Sequence, residues 1–157
     1  MIVLDTNIVA YFFRGEGQVA NNLFAMRPGE IALPAVVVYE LRYGFTRLSQ
    51  PSKHLPKLVE LLRWITVLPF ETKTAEIAAR IRVETESRGK RTGPLDTLIA
   101  ATALQHSSIL ATRNVREFSV IRGLQLANWF DDPPKKSVPH AVNETTATSR
   151  KRLTPRQ

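Results

Sequence analysis

Three acidic side chains stand in stretches that are otherwise apolar: Asp5 in MIVLDTNIVAYFF, Glu40 in VVVYELRYGF and Asp96 in PLDTLIAATAL. Asp5 directly follows a short apolar run and, with Thr6 and Asn7, suits a helix N-cap. Glu40 has Val36 and Val37 one turn before it and Gly44 one turn after, while Asp96 shares its flank with Ile99, Ala100 and Ala103 at helical spacing. Taken singly, each acid has an ordinary explanation: a cap, the helix dipole, or pairing with Arg42, Arg91 or another base. Taken together they are harder to explain, because burying a carboxylate costs several kcal/mol unless a cation or hydrogen bonds compensate. A shared counterion meets that requirement for all three.

The remaining residue types decide which cation. The chain has no cysteine, which removes thiolate nucleophiles, disulfide frameworks and cysteine zinc sites. His54 and His106 lie in or beside helices of ordinary composition and His140 lies near the C-terminus, so all three read as surface residues. Carboxylates with amide and hydroxyl oxygens select a hard ion, Mg²⁺ or Mn²⁺, over zinc. Acid clusters around a partly hydrated ion of this kind suit phosphodiester chemistry, in which the ion neutralises phosphate charge and activates a water.

Such acids need elements to position them. Short apolar runs at Ile2 to Leu4, Ile31 to Leu33, Thr66 to Leu68, Ile109 to Ala111 and Leu124 to Leu126 read as strands. Between them VVVYELRYGFTRL, KLVELLRWI, KTAEIAARIRVETESR and PLDTLIAATALQH have helical length and spacing, with Pro34, Pro51 and Pro94 at starts and Gly89 at an end. This alternation predicts an α/β domain with a mainly parallel sheet. Ligands of such sheets collect at the carboxyl ends of the strands, where Asp5 falls.

The 157 residues, 43% hydrophobic, suffice for one domain, expected over residues 1–132. The net charge of +8 is unevenly spread: residues 133–157 hold six Lys or Arg against Glu144 alone, net +5. That proline-containing segment has few large apolar residues and is expected to be a disordered basic tail, either simply solvated or a loose electrostatic handle on RNA. The apolar N-terminus carries Asp5 and has no basic leader, so it reads as neither a signal peptide nor a membrane span, and the absence of cysteine fits a reducing cytoplasm.

At these residues the chain resembles PIN domains, in particular the VapC toxins. VLDTNIVAYFF is similar to the family's strand-ending Leu-Asp-Thr-Asn motif, LPAVVVYELRYG to its Glu-bearing helix and GPLDTLIAATAL to its second-Asp helix. ILATRNVREFSVIRGLQLANWF resembles the closing strand-loop-strand, with its Thr-x-Asn-x-x-Glu-Phe version of the motif and a terminal Asn-Trp. The four motifs occur in the family's order over residues 1 to 130.

The resemblance implies a PIN-like three-layer α/β/α sandwich and a Mg²⁺-dependent endoribonuclease, with Mn²⁺ as a possible substitute ion. The cut falls in single strands or loops of structured RNA, commonly tRNA, and leaves a 5′-phosphate and a 3′-hydroxyl. Asp5, Glu40 and Asp96 match the family's acidic ligands, and Thr6, Asn7 and Thr112 its orienting groups. Many members have Thr-x-Asp where this chain has Thr112-Arg113-Asn114, so either Asn114 or Glu117 completes the site. Arg42, Lys90, Arg91, Arg113 and Arg116 are candidates for positioning phosphates. The implied partner is a VapB-like antitoxin, in a complex built on a toxin homodimer. It would lay an Arg or Lys over the acids and its apolar residues along a groove formed by the Val36 to Phe45 helix and the Tyr11 to Phe13 cluster. Two other readings fit the same residues: a PIN nuclease of RNA maturation or decay outside a toxin pair, and a non-catalytic module whose acids receive a basic partner.

Overall fold

The computed structural model describes residues 1–134. Five strands, β1 (Ile2–Leu4), β2 (Ile31–Pro34), β3 (Thr66–Leu68), β4 (Ile109–Ala111) and β5 (Gln125–Ala127), form one sheet in the order β3-β2-β1-β4-β5. Every neighbouring pair is parallel. The helices that flank it are α1 (Thr6–Arg14), α2 (Val19–Phe24), α3 (Ala35–Thr46), α4 (Pro51–Trp64), α5 (Thr72–Ser87), α6 (Pro94–Gln105) and α7 (Val115–Phe118), with a 3₁₀ turn at Pro28–Glu30.

The strands are short and lack alternation because both faces are covered. Val3, Leu4, Ala32, Leu33, Leu110 and Ala111 are all wholly buried, as expected where helices pack on both sides of a parallel sheet. Only the two edge strands expose residues, Thr66 and Val67 in β3 and Gln125 in β5. Element boundaries follow local chemistry. Pro51 and Pro94 occupy the first helical positions of α4 and α6, where a missing N–H costs nothing. After α5 the chain turns through Gly89 at φ +67°, and the N–H groups of Gly89 and Lys90 return to Glu86 O and Thr85 O.

Some boundaries differ from those read in the sequence. α4 starts at Pro51 as expected, but it runs through Pro56 ahead of the KLVELLRWI stretch, which costs one backbone hydrogen bond in the second turn. β5 lies one residue beyond the expected Leu124 to Leu126, its register set by Ala111 pairing with Ala127. α2 has too few residues to show a period. It is fixed from a distance by Asn22, whose Nδ2 donates to Asp132 O at 2.7 Å and lies 3.4 Å from Trp129 O. The expected basic tail falls outside the described residues, apart from Pro133 and Pro134.

The strand order itself creates the site. From β1 the chain winds outward to β2 and β3, then returns to the other side of β1 for β4 and β5. The crossovers leaving β1 and β4 therefore diverge, and a crevice opens at the carboxyl ends of these two strands. Asp5 is the first residue beyond β1, and Thr112 the first beyond β4.

Candidate active site

Asp5 continues the ladder by one bond, its N–H donating to Ala111 O at 3.0 Å, before the chain turns into α1. Its side chain is 3% exposed. The Thr6 N–H donates to Oδ1 at 2.7 Å and the Thr112 hydroxyl to Oδ2 at 2.7 Å, so the carboxylate bridges the ends of β1 and β4. Around Thr112 the network closes: the Asn114 N–H donates to Thr112 Oγ1 at 3.0 Å, and Asn7 Nδ2 lies 3.4 Å from the same atom. Asn7 Oδ1 in turn accepts from the Arg113 N–H at 3.4 Å.

Glu40 reaches this corner from α3 and is half-buried, with Oε2 accepting from the Thr6 hydroxyl at 2.5 Å. Asp96 arrives from the first turn of α6, also half-buried. Gly93, the N-cap of α6, makes room for it: a Cβ there would stand 2.9 Å from Asp96 Oδ2. In sequence Gly93-Pro94 looks like an ordinary helix start, so this requirement had no separate signal.

The acids act on one another. Burial raises Asp5 from 3.8 to about 6, the hydrogen bonds from Thr112 and Thr6 pull it back, and the charges of Asp96 and Glu40 add to the rise. Asp96 is also raised, first by burial, then by Glu117, then by Glu40. Glu117 thus bears on Asp96 more strongly than Glu40 does. Among the described residues the ion pairs are Arg14–Glu16, Arg63–Glu60 and Arg82–Glu86, none of which touches these four acids. The pairing of Glu40 or Asp96 with Arg42 or Arg91 is therefore absent. Among the described residues no three such groups form a ready-made ligand cage. Asn114 is exposed and caps α7 without a side-chain cap bond.

Of the five basic candidates, Arg113 is committed elsewhere. Its guanidinium lies 3.7 Å from the centroid of Phe130 and donates to the Tyr11 hydroxyl at 2.9 Å, bracing the end of the domain against α1. Arg42, Lys90, Arg91 and Arg116 are exposed. His54 stacks on Phe45. His106 departs from the expected surface position: it caps the far end of α6 and its Nε2 is buried without a partner, because the chain doubles back there into β4. The expected groove is also displaced. Val37 and Leu41 of α3 are committed to the core, whereas Phe12 and Phe13 face α2 and α4 across an open apolar cavity of about 560 Å³, with Leu23, Phe24, Leu61 and Trp64.

This fold has known counterparts. The PIN domain family matches residues 2–124. The chain belongs to the PIN-domain family. It is 32% identical over 129 residues to Ribonuclease VapC2 of Rickettsia felis, covering 81% of this chain and 96% of the relative. It is 29% identical over 127 residues to the tRNA(fMet)-specific endonuclease VapC of Shigella flexneri, with the same coverage of 81% and 96%. The crystal structure of VapBC2 from Rickettsia felis, bound to a DNA fragment from their promoter, superposes with a TM-score of 0.77 at 32% identity, covering 82% of this chain and 99% of that one.

The raised Asp5 of this PIN domain makes its stability depend on pH. The folded chain holds the Asp5 proton up to about pH 6, whereas the unfolded chain releases it near 3.8. Over that window the native state binds more protons, so metal-free stability falls as pH rises. Asp5→Asn removes the effect. In thermal melts with chelator, variant and wild type should agree most closely near pH 4 and diverge in the variant's favour by up to about 3 kcal/mol at pH 7. A gap independent of pH would show that burial of the charge is not its source.

Proposed function

We propose that this PIN domain is the ribonuclease toxin of a VapBC-type toxin-antitoxin pair, acting in the cytoplasm on structured RNA, with tRNA the leading substrate. The observation that carries this reading is that Asp5 and Asp96 are each raised by neighbouring acids, Glu40 and Glu117 among them, with no ion pair to a base among the described residues. The names of the relatives, which include ribonucleases and a tRNA-specific endonuclease, support it.

The donor set fits a hard divalent ion. All the candidate ligands are carboxylate oxygens, they repel one another, and one of them is buried to the point of resisting ionisation. Asp5, Glu40 and Asp96 would hold Mg²⁺, or Mn²⁺ in its place, with Glu117 rather than Asn114 as the fourth group because its charge already bears on Asp96. When bound, such an ion neutralises phosphate charge and lowers the pKa of a water.

The chain's own residues supply the positioning. Thr112 and the Thr6 N–H fix the Asp5 carboxylate, the Thr6 hydroxyl aims Glu40, and Asn7 links this pair to the turn after β4. Water attacks phosphorus in line with the leaving 3′-oxygen: the new oxygen–phosphorus bond forms as the bond to O3′ breaks. The proton released by the water passes to solvent, and O3′ gains one from solvent, giving a 5′-phosphate and a 3′-hydroxyl. The exposed Arg42, Lys90, Arg91 and Arg116 would meet flanking phosphates.

Removing a ligand should cost activity by orders of magnitude. Asp5→Ala, Glu40→Ala and Asp96→Ala should each lower cleavage of total RNA at least ~100-fold with the fold retained, and excess EDTA should abolish it. At low Mg²⁺, Glu117→Ala should be more damaging than Asn114→Ala, with partial rescue at saturating metal. Wild-type cleavage in EDTA would refute the metal requirement.

Gly93→Ala tests the same site by displacement, since the flexible Asp96 carboxylate is what the new methyl would meet. Its melting temperature should stay within a few degrees of wild type while cleavage falls ~10- to 100-fold. Unchanged cleavage would mean that Asp96 works equally well from another position.

A VapB-like antitoxin, in a complex built on paired copies of the toxin, would place apolar residues in the groove of Phe12, Phe13, Phe24 and Trp64, and an Arg or Lys against the acids. Phe24 and Trp64 are 75% and 63% exposed, so truncating them disturbs the core little. The double variant Phe24→Ala, Trp64→Ala should weaken antitoxin binding at least ~10-fold and leave free-toxin cleavage intact. Antitoxin and Mg²⁺ should oppose each other in titration. Binding indifferent to the groove variants, to metal and to Asp5→Asn would place the antitoxin elsewhere.

A further inference from the structure

Two tyrosines on α3 are exposed to an extent that neither packing nor capping explains. Tyr39 is 58% and Tyr43 54% exposed, although α3 seals the core with Val37 and Leu41. Their rings are nearly parallel, with an interplanar angle of 17° and centroids 6.2 Å apart. In the cluster around α1, by contrast, aromatic pairs meet at 47° to 71°, the tilted and edge-on contacts that π systems adopt when they serve each other. Arg47 extends the row: its guanidinium lies 5.5 Å from the Tyr43 ring centroid and donates to the Tyr43 hydroxyl at 3.0 Å.

Residues 39, 43 and 47 recur at four-residue spacing, so they form one ladder along the helix. Glu40 is the next residue after Tyr39 and lies one turn before Tyr43, which sets the ladder beside the acids. Glu40 is also the only acid of α3 and is occupied by the Thr6 hydroxyl. Arg42 and Arg47 leave the exposed side positive. Parallel aromatic faces with the Arg47 guanidinium at their margin match the chemistry of unpaired bases on a phosphate backbone, since every base has a π-face and every linkage a negative charge. An apolar protein partner would leave both arginines without counter-charges.

We propose that the Tyr39–Tyr43–Arg47 ladder is a stacking surface for single-stranded RNA, holding unpaired nucleotides next to the acidic crevice. This rests on the ribonuclease reading above and adds to it a recognition surface: the enzyme selects loops and single strands because only unstacked bases can lie on the ladder.

The test is binding of a labelled, unstructured oligoribonucleotide in Mg²⁺ to the full-length protein carrying Asp96→Asn, which keeps the RNA intact. Tyr39→Ala and Tyr43→Ala should each weaken binding about tenfold. Tyr39→Phe and Tyr43→Phe, which keep the ring, should stay within about twofold. Affinity for a blunt RNA duplex should not change in any variant. Alanine variants that bind the single strand as tightly as their parent overturn the proposal. So do phenylalanine variants as weak as the alanine ones, which would indicate a hydroxyl contact. A shift from dimer to monomer in the alanine variants would assign the face to a second copy and overturn it as well. Cleavage by the otherwise wild-type protein is measured in parallel: loss of the ladder effect with cleavage intact refutes the ladder alone, and a ladder effect without any cleavage refutes the nuclease reading alone.

Discussion

The structure turns on the repulsion among carboxylates that the sheet order forces together. Asp5 cannot retreat, because its backbone is the last rung of the β1–β4 ladder and its side chain is nearly inaccessible to water. Glu40 and Asp96 come from helices anchored in the core, α3 by Val37 and Leu41 and α6 by Ile99, Ala100 and Ala103, so they too are delivered to the crevice by packing. Burial and like charge both disfavour ionisation here, and two hydrogen bonds to Asp5 offset only part of that. A fold maintained for stability alone would replace these acids or give them basic partners. Among the described residues no base pairs with them, which is the observation behind the proposed cation-dependent function.

Helix α3 shows how one element serves several demands. Its Val37 and Leu41 complete the core, Glu40 enters the crevice, and Tyr39 and Tyr43 face outward. With 3.6 residues per turn, these roles fall on adjacent flanks of the same helix. The apolar groove of Phe12, Phe13, Phe24 and Trp64 is formed instead by α1, α2 and α4, so the surface suited to an inhibitory partner does not include the ladder residues. The brace of Arg113 against Phe130 and Tyr11 removes from the basic set a residue that its place in the motif had put there.

Much of this was legible in the sequence because the informative signals are local. β1, β3 and β4 lie where their short apolar runs predicted, and proline and glycine marked the ends of α4, α5 and α6. Asp5, Glu40 and Asp96 stood out because an acid on an apolar flank lacks a local reason to be there. What was not legible depends on distant contacts. The six residues of α2 are fixed by Asn22 reaching more than a hundred positions along the chain, and Gly93 matters only through the carboxylate beside it. The groove was expected between the Val36 to Phe45 helix and the Tyr11 to Phe13 cluster, but Val37 and Leu41 are spent on the core, and the open apolar cavity joins Phe12 and Phe13 to Phe24 and Trp64 instead. Parallel exposed tyrosines gave no signal either, since their sequence spacing is equally that of a buried pair.

The site is rigid on one side and adaptable on the other, which bears on how it can work. Asp5 is fixed from both strand ends, and Thr112 beneath it is itself buried and held by the turn that follows. Glu40 depends on a single hydroxyl, Asp96 sits over a glycine, and Glu117 is exposed. Pre-organisation fixes the origin of the coordinate frame, while the less restrained carboxylates would be able to adjust to a cation. The cost of gathering charge is thereby spread: the group that resists ionisation most is the one whose geometry is secured, and those free to move relieve the repulsion when no ion is present. The same asymmetry suits an inhibitor that supplies a guanidinium, because a planar fork needs one fixed carboxylate to dock on and another able to turn toward it.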